Sequence, residues 1–214
     1  MAYLNKVELQ DYLSKLFAQC TVKASLEQIE KLATLLQLLK TWSKALNLTA
    51  ITDIEDMAVL HVMDSAVAVP LLGKAQRIAD IGTGAGFPGL VLAILCPDKE
   101  FTLIDAVAKK LSFVRTAAVQ LGLTNVTIVH TRVEDFHPDP LFDLAVNRAF
   151  APLERMSNWC LPLIAPHGHL LALKAHLSKE ELQALPPTVK IDKIETLQVP
   201  ALDAVRQAVV LSRV

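Results

Sequence analysis

The stretch ADIGTGAGFPGLVLAI, residues 79–94, decides the fold class of this protein. Glycines occupy positions 82, 84 and 86, directly after a short apolar run that ends at Ile81, and a second apolar run begins after Gly89. Glycines between a strand and a helix allow a sharp turn and leave backbone N–H groups free at the start of the helix. The stretch therefore predicts a strand–loop–helix unit that either binds a nucleotide-like ligand or only makes a tight turn.

The composition indicates one folded unit with a large core. Of 214 residues, 52% are apolar and 20% are charged, which is typical of globular proteins. No apolar run reaches the roughly 18 residues of a membrane span, and the first residues lack the apolar segment of a signal peptide. The three cysteines are widely spaced and show no metal-ligand pattern. We expect a cytoplasmic protein with reduced, buried cysteines, no metal and no membrane contact.

The charge balance gives no general argument for nucleic-acid binding. Lysine and arginine number 21 against 22 aspartates and glutamates, a formal net charge of −1. Proteins that bind nucleic acid usually show a basic balance. A nucleic-acid partner would have to be bound by a local basic patch.

The chain divides into a helical part and an alternating part. Residues 1–72 are predicted as a helical extension packed on the core, with capping boxes at 25–28 and 52–55 and a helix running from the second towards Pro70. From Arg77 onwards strands alternate with helices, which predicts a mainly parallel sheet covered on both faces. Residues 73–214 are predicted as one Rossmann-like α/β domain. Its predicted strands are 77–81, 101–106, 126–130, 142–148, 168–174 and a closing pair at 190–199 and 206–214, and its helices are 89–95, 108–122, 152–164 and 178–185.

Polar residues stand at the ends of five of the predicted strands. In such a sheet, ligands bind at the carboxyl ends of the strands, near the switch in strand order. This rule brings to one edge the glycine loop, Asp105, the turn TRVEDF at 131–136, Asn147 with Arg148, and Lys174. The sequence therefore predicts a site along this edge.

The register of the glycines favours one cofactor. Residues 84–89 spell the dinucleotide fingerprint G-x-G-x-x-G, but they begin two residues later than that fingerprint should after a strand. Counted from the strand, Asp80-Ile-Gly82-Thr-Gly84-Ala-Gly86 looks like the first motif of class I S-adenosylmethionine-dependent methyltransferases. We therefore expect S-adenosylmethionine. A nicotinamide-dependent oxidoreductase is disfavoured by the register and by the lack of a Tyr/Lys or His catalytic pair.

Four acidic residues extend this expectation. Asp105 ends the next strand, where a carboxylate can accept both ribose hydroxyls in either cofactor class. Glu134 and Asp135 stand where methyltransferases cradle adenine, or they form a solvated turn. Asp80 lies in an apolar strand and needs donors, which the next glycine N–H groups along the chain could supply while its charge faces the cofactor. Alternatively, Asp80 only holds the shape of the loop.

The residues at the end of the fourth predicted strand indicate the acceptor. Residues 147–150 read Asn-Arg-Ala-Phe and lack the two prolines common among methyltransferases of exocyclic amines. Arg148 suits a target with its own lone pair, such as the paired N7 and O6 acceptors of guanine. Attack by N7 needs positioning and electrostatics but no general base. An ion pair of Arg148 with Glu134 or Asp135, or a contact with the cofactor, fits the sequence equally well.

Seven motifs in order resemble the bacterial 16S ribosomal RNA methyltransferase G family, also known as glucose-inhibited division protein B. The resemblance covers roughly residues 25 to 175 and rests on NLTAITD, HVMDS, DIGTGAGFPGLVLAI, LIDAVAKKLSFVRTAA, TRVEDF, NRAFAPLERMSNWC and LALK. It implies methylation of guanine N7 in small-subunit ribosomal RNA with S-adenosylmethionine as donor. It also implies cofactor contacts at Gly82, Phe87, Val133, Glu134 and Arg148, with Phe87 against the cofactor and Val133 and Glu134 at adenine.

The sequence departs from the family pattern at three places. Asn147 stands where serine is usual, and Ala175 where a glycine is usual after the lysine. Residues 205–207, Val-Arg-Gln, replace a Glu-Arg-His run, which puts any substrate role of the last strand in doubt.

The predicted site has a cofactor part and an acceptor part. His61, Asp64 and Ser65 share one helix face, either packed against the cofactor loop or substrate, or bonded within the helix. We expect a rim of basic residues to bind phosphates of the RNA. We also expect that the ribosomal particle, and not naked RNA, presents the target. We expect a monomeric enzyme; methylation of a small molecule or protein, and a non-catalytic ribosome-binding module, remain alternatives. The predicted catalytic residues are Arg148 and Asn147. The predicted cofactor-binding residues are Asp80, Gly82, Gly84, Gly86, Phe87, Asp105, Val133, Glu134 and Arg148. The predicted substrate-binding residues are Lys174, Arg148 and Arg155, and further candidates for the basic rim are Lys109, Lys110, Arg115, Arg132 and His176.

Overall fold

The computed structural model describes residues 4–148 and 151–214. Its helices are α1 (Lys6–Ala18), α2 (Leu26–Leu46), α3 (Ile54–Met57), α4 (Asp64–Ala66), α5 (Gly89–Leu95), α6 (Ala108–Gln120), α7 (Leu153–Cys160) and α8 (Lys179–Gln183). Its strands are β1 (Arg77–Ile81), β2 (Glu100–Asp105), β3 (Val126–His130), β4 (Phe142–Arg148), β5 (Ile164–Lys174), β6 (Val189–Leu197) and β7 (Arg206–Arg213). A π-helical segment spans Ala58–Met63, and 3₁₀ turns span Val69–Leu72, Val133–Asp135 and Leu161–Leu163.

The seven strands form one sheet in the order β3-β2-β1-β4-β5-β7-β6. The first five in this order are parallel, whereas β7 runs antiparallel to both β5 and β6. The predicted α/β fold with a closing pair of strands is confirmed. The chain moves outward from β1 in one direction to β3 and then returns to β4 on its other side. The switch point, where ligands of such sheets bind, therefore lies between β1 and β4.

Helices cover both faces of the sheet because the central strands are apolar on both sides. Along β1, Ile78 belongs to the apolar cluster on one face, and Ala79 and Ile81 belong to the cluster on the other. All three are fully buried. The first cluster includes α1, α2, α5 and α6, and the second includes α7. This packing leaves the strand ends as the accessible part of the sheet.

The N-terminal helices share their apolar core with the sheet. The capping box predicted at the start of α2 is confirmed: Gln28 N donates to Ser25 Oγ and Ser25 N to Gln28 Oε1. The amide of the same Gln28 also donates to Ile94 O and Leu95 O, at 3.0 and 3.1 Å, at the end of α5. One side chain thus caps its own helix and fixes it to the helix after the glycine loop.

The helix predicted to run from Thr52 towards Pro70 differs in two respects. Its N-cap is Asp53 instead of Thr52, because the Asp53 carboxylate accepts from the backbone of both Glu55 and Asp56, at 2.9 and 3.3 Å. The helix is also interrupted by the π-helical segment, a rare geometry that often marks functional sites. This segment carries His61 and leads directly into Asp64.

Two boundaries of the second half also differ from the prediction. Helix α7 ends at Cys160, and a 3₁₀ turn comes next, because Pro162 has no N–H to continue the helix. Strand β5 begins at Ile164, four residues before the predicted start. Cys20, Cys96 and Cys160 are unpaired and buried, as predicted. Among the described residues, no helix is both long and apolar enough to span a membrane.

Candidate functional site

The glycine loop leaves β1 with backbone angles that favour glycine. Gly82, Gly84 and Gly86 all have positive φ, at 69°, 58° and 88°. Gly86 has a second constraint, since a Cβ on it would lie 2.4 Å from Leu90 Cδ1. The N–H groups of Gly82 and Thr83 both donate to Ile104 O on β2. The loop is thereby held at the switch point with its backbone facing the strand ends.

Asp80 holds this loop in place from inside the protein. It is fully buried, and its Oδ2 accepts from Thr83 Oγ1 at 2.6 Å and from Gly89 N at 2.7 Å. The expected glycine N–H donor is that of Gly89, where the loop folds back, and the Thr83 hydroxyl is a second donor. Burial raises the pKa of Asp80 to about 6. Its Oδ1 is buried with no hydrogen-bond partner among the described residues.

Asp105 fixes the outer side of the loop. Its Oδ2 accepts from Gly84 N and its Oδ1 from Val107 N, both at 2.8 Å. Each carboxylate oxygen keeps a further lone pair. The side chain lies at the end of β2 and lines the cavity next to the loop. Asp105 therefore has the position and acceptor capacity predicted for a ribose ligand.

A cavity of about 490 Å³ opens at the ends of β1 and β2 and the loop after β3. Five predicted cofactor residues line it, namely Gly82, Asp105, Val133, Glu134 and Arg148. Lys110 and Arg132, two of the predicted rim residues, line it as well. Trp159 on α7 also lines this cavity and was missed, because no sequence signal fixed which way its helix face would turn.

Arg148 ends β4 and closes the cavity towards the N-terminal helices. Its Nη1 donates to Leu60 O at 2.8 Å and to Asp64 Oδ2 at 3.2 Å. The alternative that it pairs with Glu134 or Asp135 is wrong, because the π-helical segment brings Asp64 to it. Burial lowers the pKa of Arg148, but a guanidinium paired with a carboxylate stays protonated. The site therefore holds a fixed positive charge at the end of β4.

His61 links Arg148 to the glycine loop. Its ring stacks on Phe87 with centroids 4.8 Å apart, and its Nε2 lies 2.9 Å from Thr49 Oγ1. Arg148 Nη2 lies 3.2 Å from His61 Nδ1. Burial, and then the charge of Arg148, lowers the pKa of His61 to about 4. A neutral imidazole with Nδ1 as acceptor and Nε2–H as donor satisfies both contacts.

The two interpretations of the face with His61, Asp64 and Ser65 each describe part of it. Ser65 Oγ donates within the helix to His61 O at 2.6 Å. The side chains of His61 and Asp64 point instead to Phe87 and Arg148. Phe87 is 5% exposed and is covered by His61, with Arg148 5.8 Å from its ring centroid. Phe87 thus packs behind the loop and does not belong to the cavity wall.

Asn147 faces the opposite side of the sheet from Arg148. It is fully buried, its Nδ2 lies 3.8 Å from Cys160 Sγ on α7, and its Oδ1 has no partner among the described groups. It lines neither the cofactor cavity nor the other cavity next to Arg148. Its catalytic role stays a prediction. Ala149 and Phe150, the next two residues of the predicted motif, lie outside the described residues.

The predicted substrate cations differ in their surroundings. Lys174 Nζ pairs with Glu181 Oε1 at 2.6 Å, and the two side chains are only 13% and 15% exposed. The same Glu181 oxygen accepts from Leu153 N at 3.0 Å. Lys174 is therefore part of a clamp on the start of α7. Arg155 is exposed and lies over the Trp159 ring at 5.1 Å. Among residues 4–148 and 151–214, no cluster of three metal-ligating side chains occurs.

Comparison with known proteins identifies the family at this point. Residues 28–210 match the family model described as rRNA small subunit methyltransferase G (GidB). The chain belongs to this family. It is 43% identical over 97% of its length to the whole Ribosomal RNA small subunit methyltransferase G of Psychromonas ingrahamii. It is also 43% identical over 96% of its length to 99% of the same enzyme from Idiomarina loihiensis.

Solved structures agree on the fold at low sequence identity. TrmN from Thermus thermophilus matches with a TM-score of 0.56 and 21% identity, over 71% of this chain and 48% of TrmN. The ribosomal protein L11 methylase from Lactobacillus delbrueckii subsp. bulgaricus matches with a TM-score of 0.55 and 18% identity, over 70% and 76% of the two chains. The predicted class I methyltransferase fold is confirmed, and the methyltransferase G family and this fold imply use of S-adenosylmethionine.

Proposed function

We propose that this methyltransferase G family member transfers a methyl group from S-adenosylmethionine to N7 of a guanine in 16S ribosomal RNA of the small subunit. The observation that carries the proposal is the cavity at the switch point, which runs from Asp105 beside the glycine loop to the buried cation Arg148. The names of the relatives in the family support ribosomal RNA as the substrate.

The residues of the cavity fit the cofactor. Asp105 has free lone pairs for ribose hydroxyls, and Val133 and Glu134 form the turn that would border adenine. The buried, unpartnered Oδ1 of Asp80 supplies negative potential below the loop, next to Gly82. When bound, S-adenosylmethionine supplies an electrophilic methyl group on a positively charged sulfur.

Methylation of guanine N7 requires a hydrogen-bond donor held in a fixed position and no general base. Guanine N7 attacks with its own lone pair, so this atom must stay free of hydrogen bonds, while the neighbouring O6 can accept from an arginine. His61 is unsuited to act as a base because its Nδ1 already faces Arg148 and its ring is buried. Asp64 and Leu60 O hold the Arg148 guanidinium in place. A preorganised cation and proximity are the expected sources of rate enhancement.

The test is methyl transfer from labelled S-adenosylmethionine to small subunits isolated from cells that lack the endogenous enzyme. We expect label in 16S RNA as 7-methylguanosine, identified by mass spectrometry. Gly82→Arg fills the start of the loop and should abolish both cofactor binding and transfer. Asp105→Ala should weaken cofactor binding about 100-fold, because two charge-assisted hydrogen bonds are lost.

Each failure would point to a different error. Cofactor binding without any transfer would mean that the acceptor is a small molecule or a protein. Absence of transfer, together with binding to small subunits that survives Gly82→Arg, would indicate a ribosome-binding role without catalysis. Preferential methylation of protein-free RNA would contradict recognition of the assembled particle.

A further inference from the structure

The motif NLTAITD, residues 47–53, connects α2 to α3 and lines neither cavity next to Arg148. Its two ends serve the neighbouring helices: Asn47 ends α2 in the left-handed conformation, with a φ of 51°, and Asp53 is the N-cap of α3. Between them, Thr49 is half-buried, and its Oγ1 accepts from Ile51 N at 3.1 Å. The backbone of the motif therefore fixes the position of the Thr49 hydroxyl.

The hydrogen bonds around His61 determine which of its nitrogens carries the proton. Arg148 Nη2 can only donate, and it lies 3.2 Å from His61 Nδ1. His61 Nδ1 must therefore accept, which places the proton of the neutral ring on Nε2. Nε2–H then donates to Thr49 Oγ1 at 2.9 Å, because this oxygen has one lone pair for Ile51 N and another for His61. Hydrogen bonds thus connect Arg148 through His61 and Thr49 to the backbone of Ile51.

The orientation of the Arg148 guanidinium depends on this hydrogen-bond chain. Its Nη1 donates to both Leu60 O and Asp64 Oδ2, and two bonds at one nitrogen leave the group able to tilt about that nitrogen. The bond from Nη2 to His61 is made at a second nitrogen and prevents the tilt. Among the described residues, Nε–H and the other N–H of Nη2 have no partner, so they are the donors left for a ligand. His61 therefore sets the direction of these donors.

The His61 ring is held at its face and at its edge. Phe87 stacks on the face, which fixes the plane of the ring but leaves it free to rotate within that plane. The bond from Nε2 to Thr49 fixes this rotation and so directs Nδ1 towards Arg148. Arg148 lines both the cofactor cavity and a second, smaller cavity of about 140 Å³. A rotation of the ring would therefore displace a group that forms part of both cavity walls.

We propose that Thr49 and His61 are positioning residues for methyl transfer: Thr49 orients the His61 ring, and His61 orients the Arg148 guanidinium. This rests on the proposed function, in which Arg148 is the preorganised cation. The role requires no proton transfer, in agreement with the burial that lowers the pKa of His61 to about 4 and keeps the ring neutral. The alternative is that the Thr49 hydroxyl only stabilises its own turn through Ile51 N.

The first test compares two substitutions of Thr49. Thr49→Val replaces the hydroxyl by a methyl group at similar volume, whereas Thr49→Ser keeps the hydroxyl. Thr116→Val is the control, because Thr116 is a half-buried threonine on α6 whose hydroxyl donates within its own helix to Ser112 O at 3.1 Å. The readouts are the single-turnover rate of methylation with saturating cofactor and subunits, the KM for subunits, S-adenosylmethionine affinity by calorimetry, and thermal melting.

The expected loss is confined to the rate of one variant. Thr49→Val should lower the single-turnover rate about fivefold or more, which corresponds to one lost hydrogen bond. Thr49→Ser and Thr116→Val should keep the wild-type rate. The KM and the cofactor affinity should match wild type in all three variants, because Thr49 lines neither cavity. A purely structural role would instead lower the melting temperature of Thr49→Val and leave the single-turnover rate of the folded enzyme unchanged.

The second test asks whether Thr49 acts through His61. His61→Phe keeps a ring that can stack on Phe87 and removes both nitrogens. Its rate should also fall about fivefold or more, and adding Thr49→Val to it should cause no further loss. In wild type labelled with ¹⁵N-histidine, NMR should show the His61 proton on Nε2, with the signal assigned through its contacts to the Phe87 ring.

Four results would overturn the positioning role. They are an unchanged rate in Thr49→Val, equal losses in Thr49→Val and Thr49→Ser, additive losses in the double variant, and a wild-type His61 with its proton on Nδ1. If His61→Phe does not fold, the two Thr49 variants and the NMR spectrum decide.

The proposed function is tested separately, on wild type and before any variant. Absence of 7-methylguanosine in the small subunits would overturn the proposed function, and the positioning role with it. The NMR measurement needs no activity, so it decides independently whether the hydrogen-bond chain from Arg148 to Thr49 exists.

Discussion

The residues on the two sides of Arg148 differ in how far apart they lie along the chain. On one side, next to the cofactor cavity, the glycine loop is local in sequence and is held from within by Asp80 and from outside by Asp105. On the other side, next to the second cavity, ion pairs join charged side chains from distant parts of the chain. Asp64 and Arg206 are separated by 142 residues and Asp64 and Arg148 by 84.

This difference has a physical origin. Backbone N–H groups bind the same cofactor in many methyltransferases, and glycine is needed wherever the chain must turn with positive φ. Charged side chains that are largely buried need partners of opposite charge, and the fold supplies these from any part of the chain. We therefore expect the glycine-loop side to depend on backbone geometry and the other side to depend on the ion pairs of Asp64.

The largest expected effect lies at the junction of the two sides. Arg148→Met removes the cation that lines both cavities and leaves Asp64 with Arg206 as its remaining partner. We expect kcat to fall at least about 100-fold, a size typical for loss of a preorganised donor in an active site. Single-turnover methylation with saturating cofactor and subunits measures this.

Arg148→Lys is the matched variant. It keeps the charge but cannot bond to Leu60 O, Asp64 and His61 together. An intermediate loss is expected. Full activity in Arg148→Lys would show that charge alone matters at this position and that the fixed geometry does not.

The next largest expected effect is the change of stability with pH, which has opposite signs at two buried groups. His61 has a pKa lowered to about 4 from 6.5, so its stabilising contribution is complete above pH 6.5 and is lost as the pH falls towards 4. Asp80 has a pKa raised to about 6 from 3.8, so stability is lost as the pH rises from about 4 to 6. Each contribution amounts to about 3 kcal/mol over its range.

Urea unfolding between pH 4 and 7 measures both contributions. Relative to His61→Gln, wild type should become less stable as the pH decreases; relative to Asp80→Asn, wild type should become less stable as the pH increases. The asparagine can still accept from Thr83 and Gly89, so packing is preserved. Parallel pH profiles for wild type and either variant would mean that the group titrates alike in the folded and unfolded chain.

A smaller effect is expected from a substitution that displaces the glycine loop sterically. A Cβ on Gly89 would lie 2.6 Å from Asp80 Oδ2 and 2.8 Å from Leu103 Cγ. We expect Gly89→Ala to lower the free energy of unfolding by about 2 kcal/mol and to weaken cofactor binding, because Asp80 and the loop must move.

Gly122→Ala is the control for this substitution. Gly122 has a φ of 62° and open space around its Cβ position, so alanine there should cost about 1 kcal/mol from backbone strain alone. Its cofactor affinity should equal that of wild type. Equal cofactor affinity in Gly89→Ala would show that the loop tolerates displacement of Asp80.

The smallest effect is expected at the rim. Arg155 is exposed over Trp159, and Arg155→Gln should raise the KM for small subunits no more than about threefold. A phosphate contact would also lower the log–log salt slope by about 1. Lys15→Gln, an exposed cation on α1, is the control. If the two variants behave alike, Arg155 does not bind substrate.

The glycine-loop side was largely predictable from the sequence, whereas the ion pairs around Arg148 and Lys174 were not. Strand β1, the glycine loop and α5 are contiguous, and their apolar runs and glycine spacing directly express local backbone requirements. Asp105 and the turn at 131–136 were predicted by the rule that ligands bind at the ends of parallel strands. Local rules do not determine the partner of a charge, so the ion pairs of Arg148 with Asp64 and of Lys174 with Glu181 were not foreseen.

The sequence by itself determined the α/β order, the position of the cofactor loop and the family, because each of these depends on residues close together along the chain. Only the tertiary structure decided which residue at the end of β4 lines the cavity next to the glycine loop. Asn147 and Arg148 are neighbours in sequence, yet the alternation of a strand buries one against α7 and directs the other to Asp64. The π-helical segment then sets the partner of Arg148, because it brings Leu60, His61 and Asp64 to one guanidinium.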